Sequence, residues 1–357
     1  MPTPPLPADD LHAVLEKTRP LWAEARGQSF FITGGTGFFG RWLLESFAYI
    51  NDALGLGMRA TVLSRDPAAF SLKAPHLAAR GDITFVGGDI RTFAFPEGSF
   101  PYLIHAATEA SATLNERAPE EMFDSIVDGT RRVLSFAAQA GTRKLLFTSS
   151  GAVYGRQPSG LNHVEEDYAG APDSLSCLSA YGEGKRAAEL LCTLRARRSG
   201  FELKVARCFA FVGPHLPLNS TYAIGNFLRD AAAGRPVVVE GDGTPWRSYL
   251  YASDLAEWLW TLLFVGPAGQ AINVGSGRAH SLREVAQLVA RVGGNPASVI
   301  IKRQPLPGQP HLRYVPSVSK ARDVLGLEAH IDLETAIVKT LDWIRTTTIY
   351  SVPDLPQ

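Results

Sequence analysis

Phe30-Phe31-Ile32-Thr33-Gly34-Gly35-Thr36-Gly37-Phe38-Phe39-Gly40 is the stretch that decides the fold. A short apolar run of strand length ends in glycines at 34, 37 and 40, and helical patterning follows over Arg41–Ile50. Gly34 permits a tight turn, Gly37 lets backbone approach a pyrophosphate, and Gly40 allows the helix to pack close on the strand. A helix starting there directs free amides and the positive end of its dipole at a phosphate. A tight turn without a ligand is the competing reading, and the strand–turn–helix context favours the phosphate site.

Downstream, Ala60–Leu63, Ile83–Val86, Tyr102–Ala106, Lys144–Thr148 and Leu203–Cys208 read as further buried strands. The stretches between them are long enough for the crossover helices that parallel strands require. An α/β doubly wound parallel sheet is the economical solution. Beyond Arg207 the chain turns Gly- and Pro-rich, as in GPHLPL, GRPVVVEGDGTP and RQPLPGQP, which predicts a smaller, irregular lobe. Helical patterns return at Ala252–Phe264, Leu282–Val292 and Leu333–Ile344, with Ser281 and Glu284 spaced as a capping box. The chain is expected to rejoin the sheet near Ala271–Val274. The predicted organisation is an arm and helix over 1–28 and a dinucleotide-binding domain over 29–206, with a return near 248–280. A substrate lobe then covers 207–247 and 281–350. In the first segment, residues 1–8 carry four prolines and predict a loose arm. Leu11, Val14, Leu15, Thr18, Leu21 and Trp22 then predict one amphipathic helix capped by Asp9 or Asp10.

The 357 residues contain 35 Lys+Arg, 35 Asp+Glu and 45% hydrophobic residues, which excludes a disordered chain. A formal charge of zero argues against a broad nucleic-acid-binding surface. No apolar stretch nears the roughly 20 residues of a membrane span, and the first residues lack a signal-peptide pattern. Cys177, Cys192 and Cys208 are odd in number and lack metal-ligand spacing, so no metal is expected. A cytoplasmic protein with reduced thiols fits this balance. Cys177 reads as a small apolar filler near the site, and His163, Glu165 and Glu166 as solvated residues of a surface loop.

The end of the second strand, Leu63-Ser64-Arg65-Asp66, bears on cofactor choice. Ser64 and Arg65 suit a 2′-phosphate and favour NADP, whereas Asp66 in the role of a ribose-binding acid would favour NAD. Asp89, after the third strand, is placed to accept from an adenine amine or to serve a plain turn. Tyr181 and Lys185, four apart on a helix, lie on one face. An ammonium beside a phenol favours phenolate and tunes the tyrosine for proton transfer.

Taken together, TGGTGFFG, GDI (88–90), HAA (105–107), SSGAVYG (149–155) and YGEGK (181–185) make the chain resemble the extended short-chain dehydrogenase/reductases, which carry a Rossmann fold. The likeness is to nucleotide-sugar epimerases, dehydratases, decarboxylases and 4-ketoreductases, over about residues 29–346. The resemblance implies Tyr181 as the proton-transfer residue, Lys185 as its partner and a nicotinamide-ribose ligand, and Ser150 as the hydroxyl on the reacting sugar oxygen. Ser149 is expected to position the strand end. It implies a cofactor set of Gly34, Gly37, Phe38, Phe39, Gly40, Ser64, Arg65, Asp89, Ile90, Ala106, Ala107, Tyr181 and Lys185. Asn226, Arg247 and Arg313 join Ser150 as candidate substrate ligands, and Asn273 is expected to be structural.

The chain departs from the family where dehydratases carry Asp and Glu after the catalytic hydroxyl: here stand Gly151 and Ala152. Decarboxylases resemble a pattern with Glu at the second position. Both chemistries are disfavoured, which leaves reduction of a 4-keto sugar by NADPH as the leading expectation and an NAD-dependent 4-epimerase as the alternative. A dinucleotide-sensing regulator without catalysis is a third reading. Ile126 and Ala210 replace asparagines common in relatives. Helical runs Pro119–Ala140 and Tyr181–Arg198 match helices that pair relatives into homodimers, so a homodimer is expected.

Overall fold

The computed structural model describes residues 2–347 apart from 109–111, 220–221, 297, 307, 309 and 310. Three residues of the expected Pro-rich loop, Pro307, Gln309 and Pro310, and the end of the expected lobe at 348–350 therefore lie outside the described residues. Seven parallel strands form the main sheet. They are β1 (Ser29–Thr33), β2 (Arg59–Ser64), β3 (Ile83–Gly87), β4 (Tyr102–His105), β5 (Lys144–Ser150), β6 (Glu202–Cys208) and β7 (Gln270–Val274). Their order is β7-β6-β5-β4-β1-β2-β3. The order reverses between β1 and β4, so the crevice for a ligand opens at the carboxyl ends of those two strands.

Alternation along β1 builds two cores from adjacent residues. Phe30 and Ile32 face one side, against Trp42 and Phe47 of α2 (Phe38–Leu54) and Trp258 and Trp260 of α5 (Ala252–Val265). Phe31 faces the other, against Val133 and Phe136 of α3 (Pro119–Gln139) and Ala188 and Cys192 of α4 (Ala180–Ser199). Covered on both sides, β1 needs apolar residues throughout, which is why it reads as a continuous run.

The smaller C-terminal lobe holds helices Ala223–Ala232, Leu282–Val292 and Leu333–Thr346. The Ser281–Glu284 capping box forms as expected. Trp246–Arg247 is flanked by His280–Ser281 and by Arg313–Tyr314, the latter parallel with Arg313 opposite Trp246 and Tyr314 opposite Arg247. The chain returns to the sheet through α5 and β7, which interleaves the two parts.

The N-terminal segment corrects three expectations. The helix predicted through Trp22 ends at Thr18 as α1 (Ala8–Thr18), and a tighter turn runs over Arg19–Ala25, because Pro20 has no N–H to continue the ladder. Neither aspartate caps it; Asp10 is buried, accepting from the Tyr251 hydroxyl at 2.7 Å and pairing with Lys339 at 2.9 Å. The arm is fastened rather than loose: Leu6 is buried, its N–H donates to Glu45 at 2.5 Å, and Thr3 binds the Lys73 carbonyl.

Candidate active site

The glycine turn carries different loads at its three positions. Gly34 has φ +76°, and a Cβ there would lie 2.4 Å from the Ala106 carbonyl oxygen. At Gly40 a Cβ would lie 2.2 Å from the Gly34 carbonyl oxygen, so both positions are closed by backbone. At Gly37 the nearest atom is 3.6 Å away, and Gly37 caps α2 with no side chain. A ligand can therefore approach the backbone closely at Gly37, where the start of α2 would offer its amides to the diphosphate of a dinucleotide.

Behind the turn, His105 ties three elements together. Its Nδ1 lies 2.8 Å from the Thr33 hydroxyl and its Nε2 3.0 Å from Thr130 on α3. Burial pushes its pKa down to about 3, with Lys185 adding to the effect, so it is a neutral hydrogen-bonding bridge. The Thr33 hydroxyl in turn receives the Ala107 N–H, which fixes the strand end bearing Ala106 and Ala107. Sequence reading took His105 only as part of a motif and missed this bridge; a histidine at a buried strand end was the available signal.

Ser64 is buried and its hydroxyl accepts the Asp66 N–H at 3.2 Å. Asp66 caps the helix Pro67–Lys73 through Ala69, so its carboxylate is already engaged. Arg65 is exposed and lies close enough to Asp89 to lower its pKa. The main partner of Asp89 is Arg91, at 2.9 Å. Ile90 packs on Gly129, where a Cβ would come within 2.9 Å of it.

Ser150, Tyr181 and Lys185 come together at the carboxyl end of β5. Lys185 is buried and donates to the Thr148 carbonyl at 2.8 Å and the Thr108 hydroxyl at 2.7 Å. Burial pulls its pKa down to about 8. Tyr181 is held above its ordinary value by burial, and a hydrogen bond with Ser150 opposes the rise. Its N–H donates to Asn115 at 3.0 Å, which satisfies an amide at the start of α4. The glycines of YGEGK let α4 sit close: a Cβ on Gly182 would meet Ala152 and Pro172, and one on Gly184 would meet Ile126 at 3.2 Å. Ile126 is thus an apolar contact between α3 and α4.

The Ser150 hydroxyl also accepts the Ala152 N–H at 3.1 Å and lies 3.4 Å from the hydroxyl of Tyr314, which the sequence did not single out. Tyr314 packs on Phe209, ring centroids 4.7 Å apart. A Cβ on Gly151 would lie 2.7 Å from the Phe209 ring and 2.8 Å from the Tyr314 hydroxyl. The place where an acid would begin is filled by two rings.

The candidate substrate ligands divide. Arg247 lies over the Tyr314 ring at 5.8 Å, on the side of the catalytic hydroxyls. Arg313, next to Tyr314 and therefore on the opposite face of its strand, lies over Trp246 at 5.1 Å and reaches the Asn162 carbonyl. The structure thus separates the two arginines. Asn226 accepts from Arg229 at 3.2 Å on its own helix.

Beneath the site runs a buried polar network. Ser149 donates to Glu189 at 2.5 Å, Glu189 pairs with Arg207 at 2.7 Å, Arg207 donates to the Tyr154 hydroxyl, and Tyr154 donates to Asn273. Glu166, expected to be solvated, accepts the Asn273 N–H at 2.8 Å, and His163 contacts the Gly277 carbonyl, so their loop is bound to the sheet end. Cys177 is exposed rather than a buried filler; Cys192 and Cys208 are the buried thiols. Among the described residues no group of His, Cys, Asp and Glu could hold a metal, and no helix is long and apolar enough to cross a membrane.

A sequence profile described as "NAD dependent epimerase/dehydratase family" matches residues 30–275. UDP-glucuronic acid decarboxylase 1 of Xenopus tropicalis is 28% identical over 90% of this chain and 73% of its own length. UDP-glucuronic acid decarboxylase 6 of Arabidopsis thaliana is 30% identical, covering 90% of this chain and 92% of its own. The solved UDP-glucose 4-epimerase of Thermus thermophilus, in complex with NAD, is 27% identical with a TM-score of 0.72, covering 89% of this chain and 99% of that one.

Proposed function

The chain belongs to the NAD dependent epimerase/dehydratase family, and on that premise we propose that it is an NAD-dependent nucleotide-sugar epimerase acting at C4. The observation that carries this reading is the Ser150–Tyr181–Lys185 set at the end of β5 beside Gly151 and Ala152, with the Phe209 and Tyr314 rings closing the space at Gly151. Elimination and decarboxylation, as the resemblance describes them, need carboxylates that these positions do not supply.

Reduction of a 4-keto sugar by NADPH was the leading expectation. The Ser64 hydroxyl accepts the Asp66 N–H and keeps its proton to donate, and Arg65 is exposed, so the end of the second strand does not by itself select NADP over NAD. The solved relative named above carries NAD, which supports the alternative. A bound NAD would supply reversible hydride acceptance at the sugar C4. The residues of this chain handle the rest. Tyr181, once deprotonated, takes the proton of the C4 hydroxyl, and Lys185, one turn along the same helix, is the cation that would offset the burial holding the phenol's pKa up. Ser150 donates to the same sugar oxygen as it becomes a carbonyl. Return of the Tyr181 proton to that same oxygen, with the hydride delivered to the opposite face of the turned C4 carbonyl, would complete an inversion with no net oxidation. The open space at Gly37 suits the cofactor diphosphate, and Arg247 suits that of the sugar nucleotide.

The names of the relatives make UDP-glucuronic acid and UDP-glucose the first substrates to assay, with no reductant added. An isomer of unchanged mass is expected. Release of carbon dioxide from UDP-glucuronic acid would favour the decarboxylase reading and overturn this one.

A further inference from the structure

Ser150 has one proton to give and two lone pairs to fill. One lone pair takes the Ala152 N–H. Its remaining neighbours are two phenols, Tyr181 from α4 and Tyr314 from the lobe. The Tyr314 hydroxyl has a second partner of its own, the Cys208 carbonyl at 3.5 Å, which can only accept. Two hydrogen-bond patterns are therefore open to the same heavy atoms. In one, Tyr314 donates to Cys208 and receives the Ser150 proton. In the other, Tyr314 turns its proton to Ser150, whose own proton is then free to point elsewhere.

We propose that Tyr314 is the positioning residue for Ser150, its hydroxyl turning from the Cys208 carbonyl to the serine so that Ser150 can donate to the reacting oxygen. The inference rests on the reading of Ser150 and Tyr181 given above. It involves rotation of two O–H bonds and no net transfer of a proton. The second pattern is the one catalysis needs, because Ser150 can donate to a forming carbonyl only when its single proton is not already given to Tyr314. Packing holds Tyr314 to this task. Its ring lies against Phe209, its hydroxyl occupies the space that any side chain at 151 would need, and the Arg247 guanidinium covers its face. The strand Arg313–Tyr314 belongs to the lobe, so the serine is set only when the lobe is in place.

The test is a double-mutant cycle in the full-length protein. Tyr314→Phe keeps the ring and removes the hydroxyl. It should lower kcat about 3- to 10-fold, the worth of one neutral hydrogen bond, with KM little changed. In a Ser150→Ala background the same substitution should cost nothing more. NAD affinity by titration and the thermal midpoint should stay near those of the parent. An equal loss in both backgrounds, a rise in KM at constant kcat, or no loss at all would overturn the role of Tyr314. If Ser150→Ala and Tyr181→Phe themselves leave turnover intact, the catalytic reading fails and this one falls with it.

Discussion

The two ends of this site are built in opposite ways. The nucleotide end is a continuous strand–turn–helix in which Gly40 is closed against the turn's own backbone and Gly34 against the Ala106 carbonyl at the end of the neighbouring strand. The catalytic end is assembled from β5, α4, the segment after β6 and a lobe strand, and its Ser150–Tyr314 contact spans 164 positions. The first is set by two adjoining strand ends of the main sheet rather than by the lobe. The second exists only once distant segments have docked, so it is where a lobe can adjust chemistry without disturbing cofactor binding.

The sharpest way to break this division is Tyr181→Phe. It removes the phenolic proton and leaves ring packing, so turnover should fall by about 10²–10⁴-fold while NAD affinity, measured by titration, holds. A parallel loss of NAD affinity would mean that the two ends are not separable.

Within the turn itself, two glycines should fail differently. Gly34→Ala forces a Cβ onto the Ala106 carbonyl at positive φ, and stability should drop by about 1–3 kcal/mol in denaturant unfolding. Gly37→Ala meets nothing closer than 3.6 Å, so stability should hold while NAD affinity falls. Equal stability of the two variants would contradict the assignment of packing to one and ligand approach to the other.

At the catalytic end, Gly151→Ala should lower turnover by roughly tenfold, because the new Cβ displaces the Tyr314 hydroxyl from Ser150. NAD affinity should be unchanged. A fully active Gly151→Ala protein would show that the ring contacts at 151 do not matter.

This contrast also explains what could be read in advance. The strands of the sheet were legible because burial on both faces demands continuous apolar runs, and the glycine turn because its three glycines fall in one short stretch between a strand and a helix. Tyr181 and Lys185 were legible as an i, i+4 pair. Tyr314 was not, though it adjoins Arg313, because nothing in a two-residue lobe strand announces that one neighbour faces Ser150 and the other Trp246. Asp10 misled for the same reason: its position suggested a cap, and a tyrosine 241 residues away claimed its carboxylate instead.

The last expected effect concerns pH. Folded His105 has a pKa of about 3, set first by burial, against about 6.5 when unfolded. Between those values the unfolded chain binds the extra proton, so stability is full above pH 6.5 and declines as pH falls toward 3. His215 is lowered in the same direction, so part of the slope belongs to it. His105→Gln should lessen the decline measured by chemical unfolding between pH 6.5 and 4. An unchanged slope would contradict a neutral His105 bridge.

The central claim is a dinucleotide that stays with the protein and is recycled in each turnover. Denaturing the purified protein and identifying the released nucleotide by mass tests it most directly. NAD is expected, close to one per chain, with isomerisation of a nucleotide sugar without added cofactor. Protein that purifies empty, binds NADPH in preference to NADH and turns over only when NADPH is supplied would contradict it.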